Sequence, residues 1–151
     1  LMVVSPADDR AEVAAALRSG RFCGLKVYHC YADGPDNMQA TVEEFAPEWM
    51  WELLHEVRGV LMLHIVRDGA MEDMGNQQSI RRLCRAYPRA QLVLAHIARS
   101  FSYRNARSGL RALECSRLRV ANKFTCRRPG ARVRAFLPRT PNKMFSVTLR
   151  K

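Results

Sequence analysis

Acidic side chains all but vanish from the last quarter of this chain of 151 residues: after residue 112 only Glu114 stands against 11 Lys and Arg. Residues 1–112 carry 14 basic and 13 acidic side chains, so the net charge of +11 is +1 before residue 113 and +10 after it. Two compositions meet there, and the basic excess belongs to one of them alone. Paired cysteines are missing too. Cys23, Cys30, Cys84, Cys115 and Cys126 are odd in number and form no C-x-x-C, which argues against a disulfide framework and a zinc ribbon and leaves reduced thiols. No apolar run approaches the ~18–20 residues needed to span a bilayer, and no basic flank leads into an apolar signal core. The expected compartment is the cytoplasm, without membrane contact. Neither G-x-G-x-x-G nor G-x-x-x-x-G-K-[ST] follows an apolar run, so a nucleotide-binding reading has no phosphate loop.

What is present is an alternation of strands and helices. "LMVVSP" is an apolar run ended by Pro6, and "DDRAEVAAALRSG" follows with Asp9 and Glu12 spaced as a capping box and Gly20 as a stop. "FCGLKVYHCYA" is the next strand-like run. It is answered by "EEFAPEWMWELLHEVRG", with Phe45, Trp49, Met50, Leu53, Leu54 and Val57 on one helical face, Pro47 in its first turn and Gly59 at its end. "VLMLHIV" is a strand, "NQQSIRRLCRAYP" a helix carrying Ile80, Leu83, Cys84 and Tyr87, and "QLVLAHIA" a strand. Continuous apolar strands separated by helices predict an α/β fold with a parallel sheet buried on both faces.

Two of the four histidines end apolar runs. Lys26, His64 and His96 fall in successive strands, 38 and 32 residues apart, close to the roughly 31 residues per βα unit of an eight-unit barrel. Barrel active sites lie at the carboxyl ends of the strands, so such histidines would converge on one pocket. Imidazole is a good ligand for zinc and related ions; a buried histidine satisfied by one hydrogen bond is nonetheless the commoner outcome. Tyr28 and His29 follow Lys26 and either line that pocket or, by strand alternation, point apart. Arg67 and Asp68 leave the strand just beyond His64, as binders of a substrate carboxylate or as a solvated loop pair. His55 sits in a last helical turn, where a cation favours the helix dipole, and Trp49 and Trp51 read as helix packing.

The segments "GLKVYHCYA", "EEFAPEWMWELLHEVRGVLMLHIVRD" and "NQQSIRRLCRAYPRAQLVLAHIARSF" resemble the amidohydrolase-related family, metal-dependent β/α-barrel enzymes that include hydrolases and decarboxylases of the aminocarboxymuconate-semialdehyde type. The resemblance covers residues 1–112. It implies a partial parallel β/α barrel of the TIM type, about units three to six or seven. His64 would be the fifth-strand metal ligand, His96 the sixth-strand histidine that binds metal or polarises substrate, and Lys26 the catalytic-site lysine of the fourth strand. Tyr28, His29, Arg67 and Asp68 would face substrate. A divalent ion, zinc foremost, would activate water for attack on a carbon–oxygen or carbon–nitrogen bond of a small molecule, or hold the substrate of a decarboxylation.

The pattern is incomplete. The family's first-strand H-x-H is absent, and no Asp follows Asp73 to serve as the eighth-strand aspartate. The chain reads as a piece of a longer enzyme with an incomplete ligand set, inactive by itself and prone to self-association through open barrel edges. Residues 113–151 form a second region, an irregular basic tail in which prolines interrupt scattered arginines without helical or alternating period. Out-of-frame translation is favoured over a nucleic-acid-binding tail, which would more often show Lys runs, Gly spacers or aromatic platforms. The alternative to an enzyme is a non-catalytic α/β module that uses this tail to bind an anionic partner.

Overall fold

The computed structural model describes residues 1–32, 34–100 and 102–114. The expectations placed on residues 115–151, Cys115 and Cys126 among them, lie outside the described residues. In chain order come β1 (Met2–Val3), α1 (Arg10–Arg18), β2 (Gly24–Tyr28), α2 (Val42–Phe45), α3 (Glu48–Val57), β3 (Val60–His64), α4 (Met74–Ala86), β4 (Gln91–Leu94), α5 (His96–Arg99) and α6 (Tyr103–Glu114). Single 3-10 turns occupy His29–Tyr31 and Ala70–Glu72. The strands form one parallel sheet in the order β1-β2-β3-β4. The protein is therefore α/β, with the alternation of elements that its apolar runs predict.

Across β2 and β3 the two faces of the sheet differ, contrary to the expectation of burial on both, whereas in β4 Leu92, Val93 and Leu94 are all buried. Leu25, Val27, Leu61 and Leu63 are wholly buried and share a core with Leu17, Leu53, Leu54, Ile80 and Leu83 from α1, α3 and α4. The alternate residues Lys26, Tyr28, Met62 and His64 lie on the opposite face and are only half-buried. Gly24 lets β2 and β3 begin this close together. A Cβ there would lie 2.0 Å from the Val60 carbonyl oxygen.

Several boundaries depart from the apolar pattern for identifiable reasons. The single helix expected across residues 43–59 is two, because Pro47 has no N–H to donate and stands as the cap of α3, leaving Phe45 in α2. Trp51, left off the expected apolar face, is completely buried and donates its indole N–H to the Ala46 carbonyl at 3.1 Å, while Trp49 is only partly covered. The left-handed residue that ends α3 is Arg58 (φ 55°), not Gly59. As expected, Asp9 caps α1, accepting from the N–H groups of Ala11 and Glu12 at 2.8 and 2.9 Å. Helix α6 had no counterpart in the apolar pattern. It runs through the change of composition at residue 113, and Leu113 is fully buried in the core.

Candidate active site at the carboxyl edge of the sheet

Strand register assembles the site. Tyr28 and His64 are directly paired across β2 and β3, so their side chains emerge side by side from one face. The rings stack at 4.5 Å between centroids and 25° between planes. Two residues earlier on the same face, the Lys26 ammonium lies 4.8 Å from the centre of the Tyr28 ring. On the other side His96 approaches edge-on, its ring 5.3 Å from that of His64 at 63°. The three residues that sequence spacing singled out thus form a row, Lys26–Tyr28–His64–His96, with Tyr28 as the spacer.

His64 is held in one tautomer. Its Nδ1 lies 3.1 Å from the Val27 carbonyl oxygen, which can only accept, so the proton resides on Nδ1 and Nε2 carries the lone pair. Burial lowers its pKa from 6.5 to about 4; the bond to Val27 opposes this, and the nearby Lys26, His96 and His29 add to it. At neutral pH His64 is an uncharged imidazole, competent as a proton acceptor or metal ligand.

His96 is presented differently. Strand β4 stops at Leu94 instead of running to residue 98, and His96, Ala98 and Arg99 in α5 have φ of 52°, 54° and 55°. This left-handed backbone is costly for residues with a Cβ. It turns the exposed His96 toward His64 rather than along the strand. A similar re-aiming places both Tyr28 and His29 in the cleft: β2 ends at Tyr28, and the turn that begins at His29 cancels the alternation that would have separated them. Burial, aided by the positive charge of Arg99, lowers the His29 pKa, and its Nδ1 is buried without a hydrogen-bond partner among the described residues.

These groups open onto a cleft of about 500 Å³. Tyr28, His29, His64 and His96 line it, together with Met38, Ile65, Val66, Ala95, Arg99 and Ser100. Lys26 stands behind Tyr28 and does not line it. Arg67 and Asp68 do not either. The Arg67 guanidinium is bound to Asp73 at 3.2 Å and to the Gln39 carbonyl at 3.1 Å, and Asp68 is exposed. Arg99 and Ser100 were missed by sequence reasoning. His55 is remote from the cleft, against Arg89, whose Nε lies 3.1 Å from His55 Nε2.

The donor set can be weighed against a metal centre. Catalytic zinc sites take three protein ligands, and among the described residues no group of three or more His, Cys, Asp or Glu side chains is arranged to hold a metal ion. The imidazoles of this cleft therefore do not fit a complete centre by themselves. Among the described residues Cys23, Cys30 and Cys84 form no disulfide, and burial pushes Cys84 up to about 12, leaving it protonated. None of the described helices is long and apolar enough to cross a membrane. Comparison of the chain with protein-family models, with curated proteins and with solved structures yields no match.

Proposed function

We propose that residues 1–112 are part of a metal-dependent β/α-barrel enzyme of the amidohydrolase-related type, acting as a hydrolase on a small molecule. The supporting observation is the neutral, tautomer-fixed His64 at the carboxyl end of β3, beside His96 in one cleft. Sequential parallel strands with helices on one face leave Lys26, Tyr28, Met62 and His64 on the other, the side that would be the interior of a barrel. In this reading the sheet is about units three to six.

The roles in this reading use the geometry of the cleft. His64 offers Nε2 as base or ligand, His96 contributes a second imidazole from the rim, and Lys26 acts through Tyr28 rather than by direct contact with substrate. Two imidazoles do not make a metal centre. A divalent ion would be held by His64 and His96 only with donors from outside the described residues. Edge strands β1 and β4 each have one neighbour among the described residues, which supports self-association of the chain.

Metal content after equilibrium dialysis with zinc tests the proposal. Weak retention that is lost in His64→Ala and kept in His55→Ala is the expected result; equal zinc in wild type and His64→Ala would make His64 a packing residue. The +10 charge of residues 113–151 supports a second reading, a module that binds an anionic partner. Its signature is binding to polyanions that falls steeply with salt.

A further inference from the structure

We propose that the end of this cleft formed by His29 and Ser100 is a subsite for the hydroxyl group of a small, otherwise apolar alcohol, with His29 Nδ1 and Ser100 Oγ as its hydrogen-bonding partners. The starting point is how the molecule treats its buried polar side chains. Trp51 Nε1 donates to the Ala46 carbonyl, Asn76 Nδ2 donates to the carbonyls of Val66 and Ala70, and His64 Nδ1 is paired with the Val27 carbonyl. Two buried side-chain polar atoms have no partner among the described residues, His29 Nδ1 and Ser100 Oγ. His29 follows β2 and Ser100 follows α5, yet both residues line the same cleft. Buried polar groups are nearly always satisfied, so two orphans brought to one cavity mark where a polar group of a ligand is received.

The chemistry of the pair selects the ligand class. A neutral imidazole nitrogen donates or accepts according to its tautomer, and a serine hydroxyl rotates to do either. Their complement is a group that both donates and accepts, as a hydroxyl does. Its lack of charge matters as well. An imidazole that burial keeps neutral at pH 7 and a serine hydroxyl supply no counter-charge, and a buried ion without one carries a heavy desolvation cost. Arg99 also lines the cleft but already takes part in another interaction, and the subsite does not depend on it. Tyr28, Met38, Ile65, Val66 and Ala95 line the cleft beyond the two orphans and suit the apolar body of the alcohol.

The inference rests on this cleft being the functional site, as proposed above, but not on metal or on turnover, so it is tested by binding alone in metal-free buffer. The full chain is titrated with benzyl alcohol, toluene and benzoate by saturation-transfer NMR read on the ligand. Benzyl alcohol should bind at least as tightly as toluene, because bonds to the site replace those its hydroxyl makes to water, and more tightly than benzoate. Ser100→Ala and His29→Phe should each weaken benzyl alcohol about fivefold and leave toluene within about twofold of wild type. Without ligand, Ser100→Ala should unfold thermally at or above the wild-type midpoint, since an orphan hydroxyl has no bond to lose. A midpoint several degrees lower would assign the hydroxyl to the scaffold and overturn the subsite. Tighter binding of toluene or benzoate than of benzyl alcohol would overturn it too, as would undiminished binding of benzyl alcohol by either folded variant. So would the absence of saturable binding of benzyl alcohol at about 20 mM. Zinc retention that depends on His64 is a separate readout, so either proposal can fail without the other.

Discussion

The two connections that leave the carboxyl edge after β3 and β4 both contain left-handed non-glycine residues, Arg67 and Ala70 in the first and His96, Ala98 and Arg99 in the second, and they differ in how they are tied. After β3, residues 65–73 are tied from several sides. Asn76, only 2% exposed, donates from Nδ2 to the carbonyls of Val66 and Ala70 at 2.8 and 2.9 Å, Asp73 caps α4 through the Asn76 N–H, and Arg67 bridges Asp73 and Gln39. After β4, residues 95–100 hold a left-handed turn of non-glycine residues and a buried Ser100 hydroxyl without a partner among the described residues. The contrast teaches that arginines placed shortly after the cleft histidines His64 and His96 are not equivalent. Arg67 supports the scaffold, and Arg99 faces the cleft.

The comparison can be broken most forcefully at Asn76. Asn76→Ala leaves two carbonyls and the inner end of the connection without their donor, a loss of about 2–4 kcal/mol for buried, doubly used hydrogen bonds. A fall of that size in stability by urea denaturation is the expected outcome. A loss under about 1 kcal/mol would show that water replaces the amide readily and that the first connection is no more firmly built than the second.

His64, which ends β3 between the two connections, gives a pH-dependent effect of intermediate size. Its folded pKa of about 4 lies below the unfolded 6.5, so the unfolded chain takes up the proton first. The stability contributed by the neutral imidazole is complete above pH 6.5 and is lost as pH falls through about 4. The full shift corresponds to about 3 kcal/mol; the ring is half-exposed, and solvent screening reduces this to about 1–2 kcal/mol. Urea midpoints measured from pH 7 to pH 4 should decline less steeply in His64→Gln than in wild type by that amount. Parallel curves would mean that the ring is not desolvated.

How much of this was legible in the sequence depends on what each feature rests on. The alternation of the four strands with helices follows from apolar runs and caps, which are local, and it is found as read, whereas the split at Pro47 and helices α5 and α6 are not in that pattern. Pairing of Tyr28 with His64 depends on register, which an apolar run does not specify, and so Tyr28 emerges as the direct neighbour of His64 where spacing had pointed to Lys26. Trp51 packs as read and is fully buried; it was left off the apolar face because helical periodicity was carried through Pro47, where the chain restarts. The left-handed turn after Leu94 left no mark, since "LAHIA" lacks the glycine that ordinarily announces such backbone. Arg99 and Ser100 were hidden for that reason.

A smaller effect tests the tie at Arg67. Arg67→Gln should cost about 1 kcal/mol, because its pair with Asp73 is only partly exposed and charge-assisted. Thermal unfolding measures it, and a midpoint unchanged from wild type would mean that the ion pair does not hold the connection after β3.

The finest test places glycine at one left-handed position in each connection. His96 (φ 52°) and Arg67 (φ 73°) share the left-handed region of backbone space, which costs residues with a Cβ about 1–2 kcal/mol. Glycine removes that cost but adds about 0.5–1 kcal/mol of freedom to the unfolded chain, a net gain near 0.5 kcal/mol where the side chain holds nothing. His96 is exposed and meets the His64 ring edge-on, so His96→Gly should raise stability by roughly that amount while removing the second imidazole from the cleft. At Arg67 the same relief is outweighed by loss of the bonds to Asp73 and Gln39, and Arg67→Gly should lower stability by about 0.5–1 kcal/mol. Opposite signs in chemical denaturation would mark one connection as shaped for stability and the other as strained in favour of its side chains, whereas equal signs would mean that backbone strain alone does not distinguish them.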